Sequence, residues 1–465
     1  MSISSLVLTD GATTATLTDG INYALTSGGW APSVARRRTA ELGGVGPYAE
    51  VEEQIQLDIF STPRTLATTL ANVAKLQTLC DQARRWSAGE NVTAVRLQLT
   101  MTGSTMKEAA ILDGALDLPS DFADLVVVQE VGAATLRLTR RGLWVAAAVT
   151  SAASSAFTGP TPVSVTLASH PTPSPLAITI KDIASSFSPA VANVPSGYLV
   201  VASDTNAVAL IEGESLVFGT SSTVGNATAS GANILRASTS PAAGDYGFIA
   251  LTSGFYTGAR QIAIFAALRV NGSATRWQVS AELTYETQLG VVAAPSVFRG
   301  PIQTPRYTAS TDAGTVPRIV FLGLLSVARD PRFVRINWLR TTGTGSIDLD
   351  YLLLVNVKNE SVAILGLSQF DGNIKGGNGW LTVDSLYTQS PSPLVLAAFD
   401  PLSSTVAWPA TYTGNATLMH TGTTVRIAAL LRDTNNGNWT FTTSAGAKQS
   451  LTFVATRQPA YLTPE

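Results

Sequence analysis

Apolar and polar residues alternate along much of this chain. Ile55, Leu57 and Ile59 take turns with Gln54, Gln56 and Asp58, and Val95, Leu97 and Leu99 take turns with Arg96, Gln98 and Thr100. A period of two puts every second side chain on one face, so each run predicts a strand with one buried side. Between them the period lengthens. Leu66, Leu70, Val73, Leu76, Cys80 and Ala83 recur at three or four, which predicts a single helix over Thr62 to Trp86. Thr62 serves as its cap, Pro63 suits the first helical position and Gly89 ends it. Upstream, Leu8-Thr9-Asp10-Gly11 returns as Leu17-Thr18-Asp19-Gly20. Two Asp-Gly turns at this spacing predict a β-meander over Leu6 to Leu25.

Beyond residue 158 the pattern holds strands and no helix. Pro160, Pro162, Pro171, Pro173 and Pro175 crowd the stretch 159–175, which reads as an extended linker with His170 solvated inside it. From 176 to 360 three runs stand out. Trp277, Val279, Ala281, Leu283 and Tyr285 share a face, as do Val334, Ile336 and Trp338, and Ile347, Leu349, Tyr351, Leu353 and Val355. Short strands separated by Gly-, Ser- and Asn-rich turns predict a jelly-roll β-sandwich. Residues 361–395, with Gly372, Gly376, Gly377 and Gly379 clustered before Pro391 and Pro393, read as an irregular connection. A small C-terminal β domain over 396–465 follows, in which Val425, Ile427 and Ala429 alternate with Arg426 and Ala428. The expected fold class is mainly β: an N-terminal β-sandwich with one α-helix over 1–158, then jelly-roll β-sandwich domains.

Composition narrows the function. Charged residues make up 13% of the chain, about half the usual share, and 45% is apolar. Ser, Thr, Asn and Gly must therefore cover much of the surface. Thirty basic residues face 32 acidic ones for a net charge of -2, without the basic excess of a nucleic-acid-binding protein. The apolar stretch Leu143 to Phe157 is broken by Thr150, Ser151, Ser154 and Ser155, too short to insert in a membrane. The first five residues lack the features of a secretory signal, so synthesis in a cytosol is expected. Cys80, the one cysteine, lies on the helix's apolar face and reads as a core residue. His170 and His420 are far apart, and no nucleophile elbow, phosphate loop, dinucleotide fingerprint or zinc-protease motif is present. The chain is expected not to be an enzyme, with no cofactor beyond a structural calcium.

Four places carry candidate chemistry. Asp348 and Asp350 lie off the apolar side of one strand. In order of preference they form a solvated face, a structural calcium site, or a glycosidase carboxylate pair. Trp380, in Gly377-Asn378-Gly379-Trp380, sits in a loop context without periodic partners and is a candidate glycan or partner contact. Trp277 and Trp338 read as core. Arg36-Arg37-Arg38 is the basic run, either a solvated loop or an interface with an acidic partner or neighbouring subunit.

The order of features over the first 130 residues resembles the N-terminal domain of tailed-bacteriophage distal tail and baseplate (tail-tip) proteins. A β-meander leads to a Gly/Arg-rich loop over Gly28 to Gly46, then the strand Val51 to Ile59, the helix, and a returning strand Thr93 to Leu99. The resemblance implies a structural virion component, made in the host cytoplasm, that forms a homo-oligomeric, hexameric ring at the tail end. It also implies other tail proteins as partners, and galectin-like or carbohydrate-binding jelly-roll domains that contact host-surface glycan. In such a ring Arg36, Arg37 and Arg38 would face Glu50, Glu52 and Glu53 of the adjacent copy, and Arg457 to Leu462 would be a tail suited to docking. A glycan-active, polysaccharide-degrading tail enzyme and a capsid decoration protein are the alternatives.

Overall fold

The computed structural model describes residues 2–464 except 27–29, 40–44, 147, 173, 184–196, 203–206, 217–220, 239–246, 251–260, 285–301, 311–316, 328–332, 358–361, 367–378, 385–393, 400–405, 413–418, 421, 432–436, 441 and 443–444. In several strands, 379–384, 394–399 and 406–412 among them, it describes the backbone alone. The chain is mainly β, built from stacked antiparallel sheets.

In the first module one sheet runs, edge to edge, through Thr14–Thr16, Ile3–Thr9, Arg96–Met101, Lys107–Asp117, Gly132–Arg140, Val51–Ile59 and Tyr23–Leu25. The period-two runs place their apolar sides as expected: Ile55, Leu57, Ile59, Val95, Leu97 and Leu99 are all buried. Helix α1, Leu66–Ser87, packs on this sheet through Val73, Leu76, Leu79, Cys80 and Ala83. Its cap is Thr65, not Thr62: Thr65 is extended and its hydroxyl accepts the Thr68 N–H. Leu70 falls outside the stripe running from Thr69 through Asn72, Leu76 and Ala83 to Trp86 and is exposed. Gly89, at φ +90°, does end the helix. Its N–H bonds to the Trp86 carbonyl while that of Glu90 reaches Arg85, the pairing of a Schellman motif.

Two further expectations fail in this module. A second helix, α2 (Phe122–Gln129), connects the paired strands Lys107–Asp117 and Gly132–Arg140, held by buried Phe122 and Val126. Eight residues with two anchors are too few to show a helical period in the sequence. The meander also breaks after its first hairpin. Ile3–Thr9 pairs with Thr14–Thr16 around Asp10-Gly11, but Tyr23–Leu25 crosses to the opposite edge and pairs with Val51–Ile59. Asp19 turns the chain away, its Oδ1 accepting the N–H groups of Ile21, Asn22 and Tyr23 at 2.8, 2.8 and 3.0 Å. Tyr23 is then buried, donating its hydroxyl to the Asn72 carbonyl of α1.

The rest of the chain forms two sandwiches, one inserted in the other. The second sandwich combines residues 150–202 with 362–457. One of its sheets orders Thr150–Ala153, Thr452–Arg457, Ser174–Ile183, Gly379–Asp384, Leu394–Phe399 and Val406–Tyr412. The facing sheet orders Val163–Thr166, Thr424–Leu431, Gly197–Ala202 and Val362–Gly366. Leu176, Ile178, Ile180, Leu199, Val201, Ile427 and Phe453 lie between them. The 159–175 stretch is therefore no spacer. Its prolines flank a strand whose Val165 pairs with Val425, and Val165 and Leu167 enter the core. Much of 361–395, expected to be irregular, lies outside the described residues, but its described parts Val362–Gly366 and Gly379–Asp384 are strands. Nor is 396–465 a separate unit, since strands from both stretches interleave with strands from 150–202. Alternation along a strand marks its buried face but does not name its partner.

The inserted sandwich, residues 208–356, leaves and rejoins the second one through the neighbouring strands Gly197–Ala202 and Val362–Gly366, where Ala202 pairs with Val362. Its core encloses Trp277, Val279, Ala281, Leu283, Val334, Ile336 and Trp338, as the alternation predicted. Its other sheet, centred on Ile347–Asn356 and Gln261–Val270, lies against the second sandwich. Tyr198, Val200, Ala428, Leu430 and Trp439 meet Phe265, Tyr351, Leu353 and Val355 there. The four sheets form one stack, with the two inner sheets covered on both faces. Trp277 is fully buried, so Trp277→Ala is expected to cost about 3–5 kcal/mol, read as a loss in the denaturant unfolding of the inserted sandwich.

Candidate functional site

A chain this poor in charge buries several charged groups, and they gather beside the contacts between modules. The expected site residues fall into that arrangement unevenly.

Arg36, Arg37 and Arg38 do not form a loop. Arg37–Thr39 pairs with Val45–Tyr48 as a two-stranded ribbon, and Arg36 just before it is exposed. Glu52 and Glu50 are exposed, but Glu53 cannot meet a neighbour's arginines. It is buried against Arg140, 2.8 Å from its Nε, and accepts the Ser33 N–H at 3.0 Å and the Trp30 indole N–H at 3.2 Å. Arg140 spends its Nη1 on the carbonyls of Arg141 and Gly142. Cys80 is buried as expected, and burial pushes its thiol up to about 11, so it is not a thiolate nucleophile.

Both histidines, distant in sequence, converge where the first module meets the second sandwich. His170 is buried, its ring edge-on to Tyr461 with centroids 5.0 Å apart. His420 pairs with Ser174 across the sheet, and Ser174 accepts the Ala460 N–H at 3.0 Å. Residues Ala460–Tyr461 then pair with Trp144–Ala146 of the first module. The segment Arg457 to Leu462, expected to be a docking tail, is therefore spent inside the chain. His420 has one tautomer available. Nε2 lies 2.8 Å from the Thr424 carbonyl and must donate, so Nδ1, 3.4 Å from Arg457 Nη1, accepts. Burial lowers the pKa of both histidines, the hydrogen bonds to Thr172 and Thr424 oppose this, and the Arg457 charge adds to it.

Asp348 and Asp350 are not on a solvated face. Every residue of Ile347–Asn356 is buried. The strand carries a bulge: Ala266 pairs with Leu352 but Leu268 with Leu349, leaving Asp350 and Tyr351 opposite one residue. Alternation therefore changes phase. Ile347 and Leu349 share the inserted core with Leu352 and Leu354, while Tyr351, Leu353 and Val355 face the second sandwich. The expectation that Ile347, Leu349, Tyr351, Leu353 and Val355 share one face fails at this bulge.

The two carboxylates also part ways. Asp348 accepts Arg236 at 2.7 and 2.9 Å, Arg269 at 2.9 and 3.2 Å and the Asn271 amide at 2.8 Å. Burial works to raise its pKa, but these donors win and hold it below the usual carboxylate range. Asp350 has no cation. It accepts the Ser230 N–H at 2.9 and 3.1 Å and the Ser230 hydroxyl at 2.8 Å. Burial, opposed by Ser230 and reinforced by Glu212 and Glu214, pushes it up to about 7. Calcium does not fit this pair, because one carboxylate is filled by two guanidinium groups and an amide and the other by Ser230. Among the described residues, no group of three or more His, Cys, Asp and Glu is placed to hold a metal ion. Full burial likewise keeps Asp350 from reaching a glycosidic oxygen. Glu212, Glu214 and Ser230 escaped notice in the sequence; Glu212-Gly213-Glu214 was a visible signal, but Ser230 had none.

Trp380 lies on the strand Gly379–Asp384, in register with Phe399, not in a loop. The glycine run stops at Gly379, and the following Trp-Leu-Thr-Val favours a strand. Its ring is outside the described side chains. Trp277 and Trp338 are core residues, as expected, with ring centroids 6.4 Å apart.

No family model matches the chain, and no curated protein does. Solved structures similar to parts of it include carbohydrate-binding modules. The C-terminal CBM6 of LamC, a marine laminarinase from Zobellia galactanivorans, is 10% identical over 32% of this chain and 98% of that one, with a TM-score of 0.22. The CBM36-1 domain of a multidomain xylanase from the hindgut metagenome of Trinervitermes trinervoides is 9% identical over 32% and 98%, with a TM-score of 0.23. The K1 cleaved adhesin domain of Lys-gingipain from Porphyromonas gingivalis is 12% identical over 32% and 99%, with a TM-score of 0.18.

Two outcomes follow from the buried charges. Glu53→Ala strands Arg140 in the interior and is expected to cost about 3–5 kcal/mol, read from denaturant unfolding of the first module. The histidine joint should be acid-sensitive. Because the folded-state pKa values lie below the unfolded one, the stabilisation is complete above about pH 6.5 and is lost as pH falls through the lowered values. Hydrogen exchange of Trp144–Ala146 and Ala460–Tyr461 should accelerate in acid beyond the intrinsic change, and less so in His420→Gln.

Proposed function

We propose that this chain is a non-catalytic structural protein of a phage tail tip, in which the first module assembles and the inserted sandwich contacts host-surface glycan. The observation that carries the reading is the nested order of the modules. Strands from both ends of the sequence meet in the first module, the second sandwich is built on it, and the inserted sandwich grows from the middle of the second. A chain folded this way keeps one module as a base and carries another away from it.

The base has surfaces suited to assembly. Among the described strands, Thr14–Thr16 and Tyr23–Leu25 are the outermost of its sheet, one at each edge. Edge strands offer backbone N–H and C=O groups to a neighbouring chain. Two different edges joined head to tail close into a ring when the rotation permits, and six copies is the number the tail-tip resemblance implies. The absence of turnover is supported by the fate of the acidic groups, since Asp348 is neutralised by arginines and Asp350 is sealed from solvent.

The inserted sandwich also has a described aromatic available to a sugar ring. Phe321, on Arg318–Ser326 at the edge of the six-stranded sheet, is 45% exposed and close to exposed Leu324 in the sequence, whereas Trp277 and Trp338 are buried. Phe321→Ala is expected to weaken retention on host-type polysaccharide at least several-fold. Because the ring also packs on buried Phe265, with centroids 5.2 Å apart, retention is compared at a temperature where the variant is fully folded. Equal retention by the variant would move the glycan contact elsewhere, and retention by neither protein would remove it. For assembly, rings are expected by negative stain in native particles or in concentrated protein at low salt. Monomers under both conditions, with the protein at single or three-fold sites in the particle, would overturn the ring.

A further inference from the structure

The inserted sandwich touches the second one not only through the apolar faces of the inner sheets but also through the polar loop 226–232. From the second sandwich, Lys448 Nζ donates to the Ser230 carbonyl at 2.6 Å and the Thr440 hydroxyl to the Thr228 carbonyl at 2.7 Å. The Trp439 N–H lies 3.4 Å from the Thr228 hydroxyl. Underneath, the loop rests on carboxyl groups of its own sandwich. Asp350 takes the Ser230 N–H and hydroxyl, and Glu212 takes the same Ser230 hydroxyl. Gly231 leaves room for them: a side-chain carbon there would lie 2.2 Å from Glu214 Oε1 and 3.3 Å from Glu212 Cδ.

Counting protons decides what this arrangement requires. A serine hydroxyl has one proton to donate, and two carboxyl oxygens stand within hydrogen-bond reach of it. With both carboxyls ionised, one of the two close oxygen pairs has no proton between them. With one proton on Glu212 or Asp350, the protonated carboxyl donates to the serine oxygen and the serine donates to the other carboxylate. Charge points the same way. Asp350, Glu212 and Glu214 face the loop, and Lys448 is the cation that reaches it. Arg236 and Arg269 are bound to Asp348 on the same strand, and Tyr351 is buried and neutral beside Asp350. Glu214 Oε2 is buried without a hydrogen-bond partner among the described residues.

We propose that the seat of the inserted sandwich on the second one is proton-linked: a proton shared by Asp350 and Glu212 through the Ser230 hydroxyl holds the 226–232 loop against Lys448, Trp439 and Thr440, and its loss releases that loop. The apolar contact between the inner sheets stays in place, so the device sets how firmly the inserted sandwich is held at this rim. It is independent of what that sandwich binds. Burial raises the pKa of both carboxyls, Asp350 to about 7, against an ordinary value of 3.8 for Asp. A raised folded-state pKa stabilises fully below the unfolded value and loses that stabilisation as pH rises through the folded one. The hold on the loop is therefore complete below about pH 4, weakens as pH rises from there, and is gone above about pH 7.

Hydrogen exchange of the full chain at pH 5.5, 7.0 and 8.5, corrected for intrinsic rates, tests this at the loop itself. Protection of 226–232 is expected to fall by roughly tenfold per pH unit from pH 5.5 towards 7, the slope of a single linked proton, and to level off between 7.0 and 8.5. Asp350→Asn and Glu212→Gln cannot ionise and should flatten that slope. Asp348→Asn breaks the arginine pairing and should lower protection at every pH while leaving the slope. Glu212 is only partly buried, so its variant serves even if Asp350→Asn fails to fold. Flat protection in the wild type, or an undiminished slope in every folded one of the two non-ionising variants, would overturn the proposal.

Discussion

Two inner sheets covered on both faces are the constraint on which the rest of this structure depends. Gly197–Ala202 and Thr424–Leu431 pack into the second sandwich on one side and against the inserted sandwich on the other, and Gln261–Val270 and Ile347–Asn356 mirror them. A strand covered on both faces has no polar side, so any charge on it must find its partner within the protein. Asp348 draws Arg236, Arg269 and Asn271 to itself for that reason. Asp350, two residues on and without a cation, draws Ser230 and shares it with Glu212.

The same constraint explains what could be read in the sequence. Strands covered on one face announce themselves by alternation, and Val51–Ile59 buries every second residue as the pattern has it. Doubly covered strands do not alternate. Ile262-Ala263-Ile264-Phe265-Ala266-Ala267-Leu268 is a continuous apolar run, which periodicity alone cannot assign to a face. In Ile347–Asn356 an alternation was visible but misleading, because a bulge shifts its phase at Asp350 and Tyr351. Bulges depend on the partner strand, here Gln261–Val270, and a strand's own residues do not display them. Site residues were legible to the same extent: Cys80, Trp277 and Trp338 by pattern, but not Ser230 or the meeting of His170 with His420, which only the fold brings about.

Nesting has a physical rationale of its own. An insertion is tolerated where its two ends are already close, since the host then closes no extra loop. Ala202 and Val362 are paired across adjacent strands, so 208–356 can fold between them without disturbing the second sandwich. That proximity erased the domain boundaries from the linear sequence. Strands of 150–202 find partners in 362–457, more than 150 residues away, and proline content marks only the ends of one strand among them.

A low charge content also moves electrostatic control from the surface to these joints. Exposed ion pairs such as Arg85–Glu90 contribute little and are screened by salt. Inside the joints, single protons decide whether donors and acceptors match. His420 must stay neutral because its Nδ1 lone pair faces Arg457, whereas the Ser230 bridge is complete only when a carboxyl beside it is protonated. Acid therefore opposes the contact between the first module and the second sandwich but supports the seat of the inserted one. Because Arg457 penalises a positive charge and Asp350 and Glu212 penalise a second negative one, the opposite signs follow from the charge each joint already holds. The two ends of the second sandwich thus respond to pH in opposite directions, although the chain carries only two histidines.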